Sequence, residues 1–317
     1  SLRRRNEKNS GRLLFQTKCN SISKTTKKVR TKKLSIYLNH PTYSFRVDLE
    51  QYPSGEWRWS EDNRNLSDYT HMSIYTTRIE EIIQAMFVAD SFGVSNGEKE
   101  IYIPFLPGAR QDRRMEGINS DKLRTLESVY DEISVRNFKT IYTLDLHNPK
   151  AVVGLGAFSA FARRSIMRTP IINKDMRFIQ QAVKSQYHNK WTGIIAPDEG
   201  AITRATQAAE ALEVPLVVEA SKKRDTETGK ITGFAVAGNL EPGNYLMVDD
   251  ICDGGGTFIG LADEIKDRYA GVYLDLFVTH GIFSQGTEEL SKRFDIIYTT
   301  NSTGKSFGPE ITQFDLF

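Results

Sequence analysis

Tyr245-Leu246-Met247-Val248-Asp249-Asp250-Ile251-Cys252-Asp253-Gly254-Gly255-Gly256-Thr257 reads as a buried strand, an acidic glycine-rich turn and the start of a helix. Residues without side chains let backbone N–H groups approach a phosphate closely, and a following helix N-terminus adds positive potential. The paired carboxylates would repel that phosphate. They suit sugar hydroxyls, from which they accept hydrogen bonds, or a Mg2+ ion. One loop thus matches a ribose and its 5-phosphate. The bland alternative is a turn with solvated acids, but two adjacent acids at the end of a buried strand have no packing reason. Cys252 reads as a small buried filler rather than a nucleophile, because no basic residue adjoins it.

Outward from this stretch, short β-branched runs alternate with amphipathic ones. Strands are expected at 34–38, 45–49, 56–59, 73–77, 100–103 and 140–146. A second set is expected at 193–197, 215–219, 231–235, 245–249, 272–279 and 295–300. Helices are expected at 79–92, 120–135, 157–166, 175–186, 201–212, 257–269 and 287–293. Continuous apolar strands suit burial on both faces, and strand–helix alternation implies parallel sheets covered by helices. The expectation is an α/β protein of two similar domains, each a mostly parallel sheet flanked by helices. They divide as residues 34–165 and 166–317, near Arg163-Arg164 and Pro170, with packing of the last residues back on the first domain as an option. In such sheets ligands sit at the carboxyl ends of the strands.

The 317 residues carry a net charge of only +2, but the charge is unevenly placed. Residues 1–33 hold twelve basic residues and one acid, Glu7, whereas the remainder is net −9. The basic Ser/Thr/Asn-rich arm has little apolar periodicity and is expected not to fold alone. An anionic surface or an organelle-targeting role are the alternatives for it. The chain begins with Ser1, which suggests that something upstream is missing or processed. Two cysteines, Cys19 and Cys252, are too few for a disulfide framework or a structural zinc site. No apolar run is long enough to span a membrane. A reducing, cytoplasmic setting is the default expectation.

Other strand ends carry further clusters. Tyr52-Pro53-Ser54-Gly55-Glu56 is one. Ile103 to Arg114 contains Arg110, Gln111, Arg113 and Arg114 after a Pro-Gly turn. Thr143-Leu144-Asp145-Leu146-His147, Ala196-Pro197-Asp198-Glu199-Gly200-Ala201-Ile202-Thr203-Arg204 and Thr279-His280-Gly281 complete the set. Guanidinium groups bind phosphate oxygens bidentately, so the arginine run suits a polyphosphate. Alone, Ser221-Lys222-Lys223-Arg224 reads as an exposed basic turn. His40, His71 and His188 have no such context. Ser302-Thr303-Gly304-Lys305-Ser306 imitates a P-loop, but Thr299 stands where the earlier glycine belongs, and Gly308-Pro309 forbids the helix the motif needs.

Together with the aspartate–glycine loop, these segments resemble the ribose-phosphate diphosphokinase (phosphoribosyl diphosphate synthase) family, in order and rough spacing from Tyr52 to Phe317. The resemblance implies transfer of a diphosphoryl group from Mg-ATP to the 1-hydroxyl of ribose 5-phosphate, giving phosphoribosyl diphosphate and AMP. It implies that Arg110, Gln111, Tyr52 and Glu56 hold ATP, and that His147 and Asp198 hold Mg2+. Asp249, Asp250, Asp253, Gly254, Gly255, Gly256 and Thr257 would hold the sugar phosphate. Lys222 and Arg224, with Lys223 as a fallback, would serve on a loop closing over the transferred group, and His280 would be loop structure near the ribose site. In the family the Tyr52–Glu56 loop comes from a neighbouring subunit, which implies a homo-oligomer with a shared ATP site. A phosphoribosyltransferase or a non-catalytic relative are the alternatives. The acids and bases on facing loops suit magnesium and phosphates rather than nucleic acid.

The sequence departs from the family in places. The first family helix is replaced by the short stretch 40–44. The loop after Arg114 is about two residues shorter. The family's Asp-Ala-Gly-Gly reads Asp198-Glu199-Gly200-Ala201, and Gly254 stands in place of a Thr. The family continues into another helix beyond the position of Phe317.

Overall fold

The computed structural model describes residues 33–39, 44–52, 54, 56–59, 70–91, 98–111, 125–152, 169–174, 190–214, 217–224 and 231–316. Two seven-stranded sheets organise them. The first holds β1 (Lys33–Asn39), β2 (Ser44–Gln51), β3 (Trp57–Trp59), β4 (His71–Ile74), β5 (Glu100–Tyr102), β6 (Thr140–Leu144) and β7 (Ile171–Lys174). Its order is β3-β2-β1-β4-β5-β6-β7. The β4 to β7 side is parallel, whereas β1, β2 and β3 form an antiparallel meander that joins β4 through β1. The second sheet holds β8 (Gly193–Ala196), β9 (Val217–Arg224), β10 (Ile231–Val236), β11 (Gly243–Cys252), β12 (Val272–Gly281), β13 (Ile297–Thr300) and β14 (Ile311–Phe314). It runs β10-β9-β8-β11-β12-β13-β14 and is parallel throughout except for the β9–β10 ribbon.

Helix α1 (Ile79–Ser91) buries Ile82, Ala85, Met86 and Ala89 at helical spacing against the first sheet, beside α2 (Thr125–Ser134). In the second sheet, β11 shows why its apolar run does not alternate. Tyr245 and Met247 face one core, with Phe258, Leu261 and Ile265 of α4 (Gly256–Arg268). Leu246 and Val248 face the other, with Ala205, Ala208 and Leu212 of α3 (Ile202–Leu212). A strand covered by helices on both sides needs apolar residues at every position. That second cluster also takes in Leu144 of the first half and Leu316.

Several expected elements change in extent. The strand expected at 73–77 lies at 71–74, and the one expected at 140–146 ends at Leu144. The basic stretch 221–224 is not a turn; its backbone continues β9 and pairs with β10. His280 is not in a loop, because β12 runs on to Gly281. The helix expected at 287–293 is a single turn, α5 (Glu288–Ser291). β7 and β14 were not expected, since four-residue edge strands beside Pro170 and after Pro309 carry too little periodicity. β7 pairs with β6, so the first sheet runs past residue 165, where the sequence reading divides the chain. The helices expected at 157–166 and 175–186, and the arm apart from Lys33, lie outside the described residues. Among the described residues no helix is long and apolar enough to cross a membrane.

Candidate active site

The carboxyl ends of β6, β8 and β11 converge on a cavity of about 490 Å3 lined by Asp145, His147, Asn148, Lys150, Asn173, Asp198, Thr203, Arg204, Gln207, Asp249 and Asp250 among others. The first half supplies His147 from the turn after β6. Its Nδ1 lies 2.8 Å from Asp250 Oδ2, a carboxylate only 5% exposed at the end of β11. The backbone turns sharply just before, at Asp145, whose φ is 40°. Asn173 of β7 fixes the turn by accepting a hydrogen bond from the Leu146 N–H at 3.0 Å. From the second half, Asp198 caps the short 3-10 turn Glu199–Ala201, its Oδ1 accepting from the Ala201 N–H at 3.2 Å.

Arg204 projects from the first turn of α3 into this cluster. Its Nε donates to both oxygens of Asp145, at 2.8 and 3.0 Å, and its Nη1 lies 3.5 Å from Asp249. Burial opposes its charge, but Asp145, Asp250 and Asp249 outweigh that and raise the guanidinium pKa. The two adjacent aspartates respond oppositely. Burial and the neighbouring Asp250 push the Asp249 carboxyl up. Burial would raise Asp250 too, yet the His147 hydrogen bond and Arg204 prevail and hold it below the usual carboxylate range.

The glycine turn takes the form its composition suggests. Gly255 caps α4 with φ of 79°, a conformation that disfavours a side chain. A Cβ at Gly256 would meet nothing within 4 Å, so the helix start opens onto free space. Thr257 is the second helical residue rather than the first. Arg110 reaches across from the loop after β5, its Nη1 donating to Asp253 Oδ2 at 3.1 Å. Gln111 accepts a hydrogen bond from the Thr125 hydroxyl at the start of α2. Cys252 is fully buried, and burial, then Asp249 and Asp253, push its thiol up, as expected of a filler. The imitation P-loop has no helix after it; Lys305 instead donates to the Ile282 carbonyl.

Thus His147, Asp198, Asp249 and Asp250 share one cavity, with the Arg110–Asp253 pair joining the same two halves. Tyr52 and Glu56 are not part of it. They sit on the exposed β2–β3 hairpin, at the far edge of the first sheet from β6, where the Tyr52 N–H donates to the Glu56 carbonyl at 2.7 Å. The backbones of Lys222 and Arg224 lie in β9 opposite Phe234 and Ile231. Sequence reasoning gave Asp145 and Arg204 no role. The signal was there for Arg204, since it shares a helical stripe with Ala201 and Ala208, where an apolar residue is expected.

The donor set bears on a metal. Among the described residues no three His, Cys, Asp or Glu side chains converge as a ready-made site. A Mg2+ ion keeps several waters and binds through one or two carboxylates plus substrate phosphates. The cavity's Asp198 and its His147–Asp250 pair offer few carboxylates, which fits an ion that arrives with a polyphosphate.

A buried histidine joins the halves close by. His280 is 2% exposed, with Nε2 3.0 Å from the Leu144 carbonyl oxygen and Nδ1 2.8 Å from the Ser302 hydroxyl. Burial lowers its pKa from the ordinary 6.5. The unfolded chain therefore binds this proton more readily than the folded one, and stability falls as pH drops below about 6.5. The expected slope from this residue is at most about 1.4 kcal/mol per pH unit. Urea unfolding of wild type and His280→Gln between pH 7.5 and 5.5 checks it; parallel curves for the two would refute it.

Residues 164–301 match the model of the phosphoribosyl transferase domain. The fold and site define a protein of the phosphoribosyltransferase-fold class, built here from two sheets. The chain is 28% identical over 266 residues to a ribose-phosphate pyrophosphokinase of Pyrococcus abyssi, covering 81% of this chain and 84% of that one. It is 28% identical over 265 residues to the Pyrococcus furiosus counterpart, covering 81% and 85%. A crystal structure of phosphoribosylpyrophosphate synthetase from Mycobacterium smegmatis superposes with a TM-score of 0.64 at 18% identity, over 85% of this chain and 86% of that one, and so shares the fold. Over about four fifths of its length the chain is thus similar to ribose-phosphate pyrophosphokinases, and its second half carries the phosphoribosyl transferase domain.

Proposed function

We propose that the protein transfers the diphosphoryl group of Mg-ATP to the 1-hydroxyl of ribose 5-phosphate, giving phosphoribosyl diphosphate and AMP. The observation that carries this reading is the cavity in which His147 of the first half meets Asp250 of the second at 2.8 Å. A protein that only used phosphoribosyl diphosphate would need the second sheet and a nucleobase pocket, not a first half that brings its own His147 and Arg110 to that sheet. In this reading the 1-hydroxyl oxygen attacks the β-phosphorus and the bond from the α-phosphate oxygen to the β-phosphorus breaks. Asp249, Asp250 and Asp253 orient the sugar hydroxyls, and the Gly254–Thr257 turn binds the 5-phosphate with backbone N–H groups. Arg110 and Gln111 hold ATP, while His147 and Asp198 hold Mg2+, which would neutralise charge on the phosphate oxygens. Lys222 and Arg224 stabilise charge on the group in transit. Catalysis is then positioning plus electrostatics.

Tyr52 and Glu56, far from the cavity in their own chain, suit an adenine site completed by a second copy, and we assign a homo-oligomer on that ground. The test is incubation with Mg-ATP and ribose 5-phosphate. AMP and phosphoribosyl diphosphate are expected; ADP would indicate an ordinary kinase, and no turnover a non-catalytic relative. The basic arm stands apart from this chemistry. Removing residues 1–32, which stops short of β1, should leave kcat within about twofold, whether the setting is cytoplasmic or the arm directs the protein to an organelle. Initial rates of the truncated protein check this, and loss of activity with an intact fold would overturn it.

A further inference from the structure

We propose that Arg204 is the positioning residue of the metal–phosphate site, tying Asp145 of the first half to Asp249 and Asp250 of the second. The inference rests on the functional reading above and names a residue that reading does not use. Arg204 is 11% exposed, and its planar group fills the space between three carboxylates, 2.8 Å from Asp145, 3.5 Å from Asp249 and 3.8 Å from Asp250. Its Nη2 also reaches the Leu146 carbonyl at 3.5 Å, one residue before His147. Asp145 is held from the second half twice, because the buried Thr279 hydroxyl also donates to its Oδ2. A guanidinium can serve several acceptors in fixed directions, which an ammonium group cannot. Asp145 and Asp250 alone outnumber the one guanidinium, so the array keeps net negative charge for a divalent cation. The array thus sets where the His147 turn meets β11 and leaves room for the ion. Outer-shell partners of this kind typically change metal affinity or activity by about 10–100-fold when lost.

The test uses Mn2+ as the ion and α,β-methylene-ATP, whose P–C–P link cannot release AMP. Free Mn2+ is read by electron paramagnetic resonance in the ternary complex of the full-length protein. Arg204→Gln should weaken Mn2+ binding by about 10–100-fold, and Arg204→Lys should recover only part of the loss. Thr279→Val, a buried near-isosteric change, should weaken it in the same direction by a smaller factor and keeps the test alive if Arg204→Gln does not fold. Circular dichroism and melting curves verify the fold of each variant. Unchanged Mn2+ affinity in a folded Arg204→Gln protein would overturn the proposal. So would tighter binding, which a mere counter-charge predicts, or full rescue by lysine. A wild-type protein that binds no Mn2+–nucleotide fails at the functional reading itself, and the role given to Arg204 falls with it.

Discussion

Lys222→Ala should lower turnover by about 10²–10³-fold while ATP binding stays within a few-fold of wild type. The expectation rests on where β9 delivers the residue. β8 and β9 are parallel, with Ala196 opposite Glu219, so both strands point their carboxyl ends the same way. Asp198 follows the end of β8 directly. Position 222 lies three residues beyond Glu219 in a strand, about 10 Å further along that direction. In the proposed reaction that offset would carry a basic group beyond Asp198 toward the transferring phosphoryl group. Such a group acts on charge that develops in transit, so its loss shows in kcat rather than in ground-state affinity. The resemblance places its Lys-x-Arg spacing on positions 222 and 224, with 223 between them. Lys223→Ala should therefore keep most of the activity. AMP release under saturating substrates gives the rates, and calorimetry with α,β-methylene-ATP gives the affinity. Near-normal turnover of Lys222→Ala would sink the assignment, and a large loss in Lys223→Ala would transfer the role to Lys223.

What could be read from the sequence was what repeats locally. The apolar run ending in Asp249-Asp250 and the glycines before Thr257 specify a strand, a turn with positive φ and a helix start from composition alone, and β11, Gly255 and α4 follow. The first sheet's order was less legible. Antiparallel β1, β2 and β3 stand beside parallel β4 to β7, and nothing in a strand's own residues names its neighbour. Arg204 and Asp145 were illegible as a pair for the same reason. They lie 59 residues apart on opposite halves, and each alone reads as a charged residue near a helix start or a strand end. His280 looked like loop structure because the resemblance places the Thr279-His280-Gly281 stretch in a loop near the ribose site. Its ring is in fact satisfied by a serine and by a carbonyl of the other half, which lets a polar residue continue a buried strand.

Replacing Asp275 should destabilise the fold strongly, while leaving the chemistry of surviving molecules untouched. Asp275 sits in β12, 3% exposed, several residues before the strand reaches the site at Thr279. It accepts from the Trp191 indole Nε1 at 2.8 Å and from the Ile296 N–H at 3.0 Å, and pairs with Lys190 Nζ at 2.6 Å. The Lys190 ammonium also lies 5.7 Å from the Trp191 ring centre and 5.9 Å from that of Tyr298. One carboxylate thus joins the segment before β8, β12 and the segment before β13. Asp275→Ala removes the acceptor shared by an indole N–H, a backbone N–H and the Lys190 ammonium, which keeps the Tyr298 hydroxyl at 3.4 Å, and it opens a void. Breaking a buried ion pair from one side typically costs about 3–5 kcal/mol. Asp275→Asn keeps one acceptor and should cost roughly half as much. In the double variant Lys190→Met with Asp275→Ala no charge is left behind, so part of the loss should return. Urea midpoints at an unchanged slope give these differences, and AMP release by the folded fraction gives the activity. A loss below about 1 kcal/mol in Asp275→Ala would mean that water replaces the carboxylate at no cost and that the three segments are held by their apolar contacts alone.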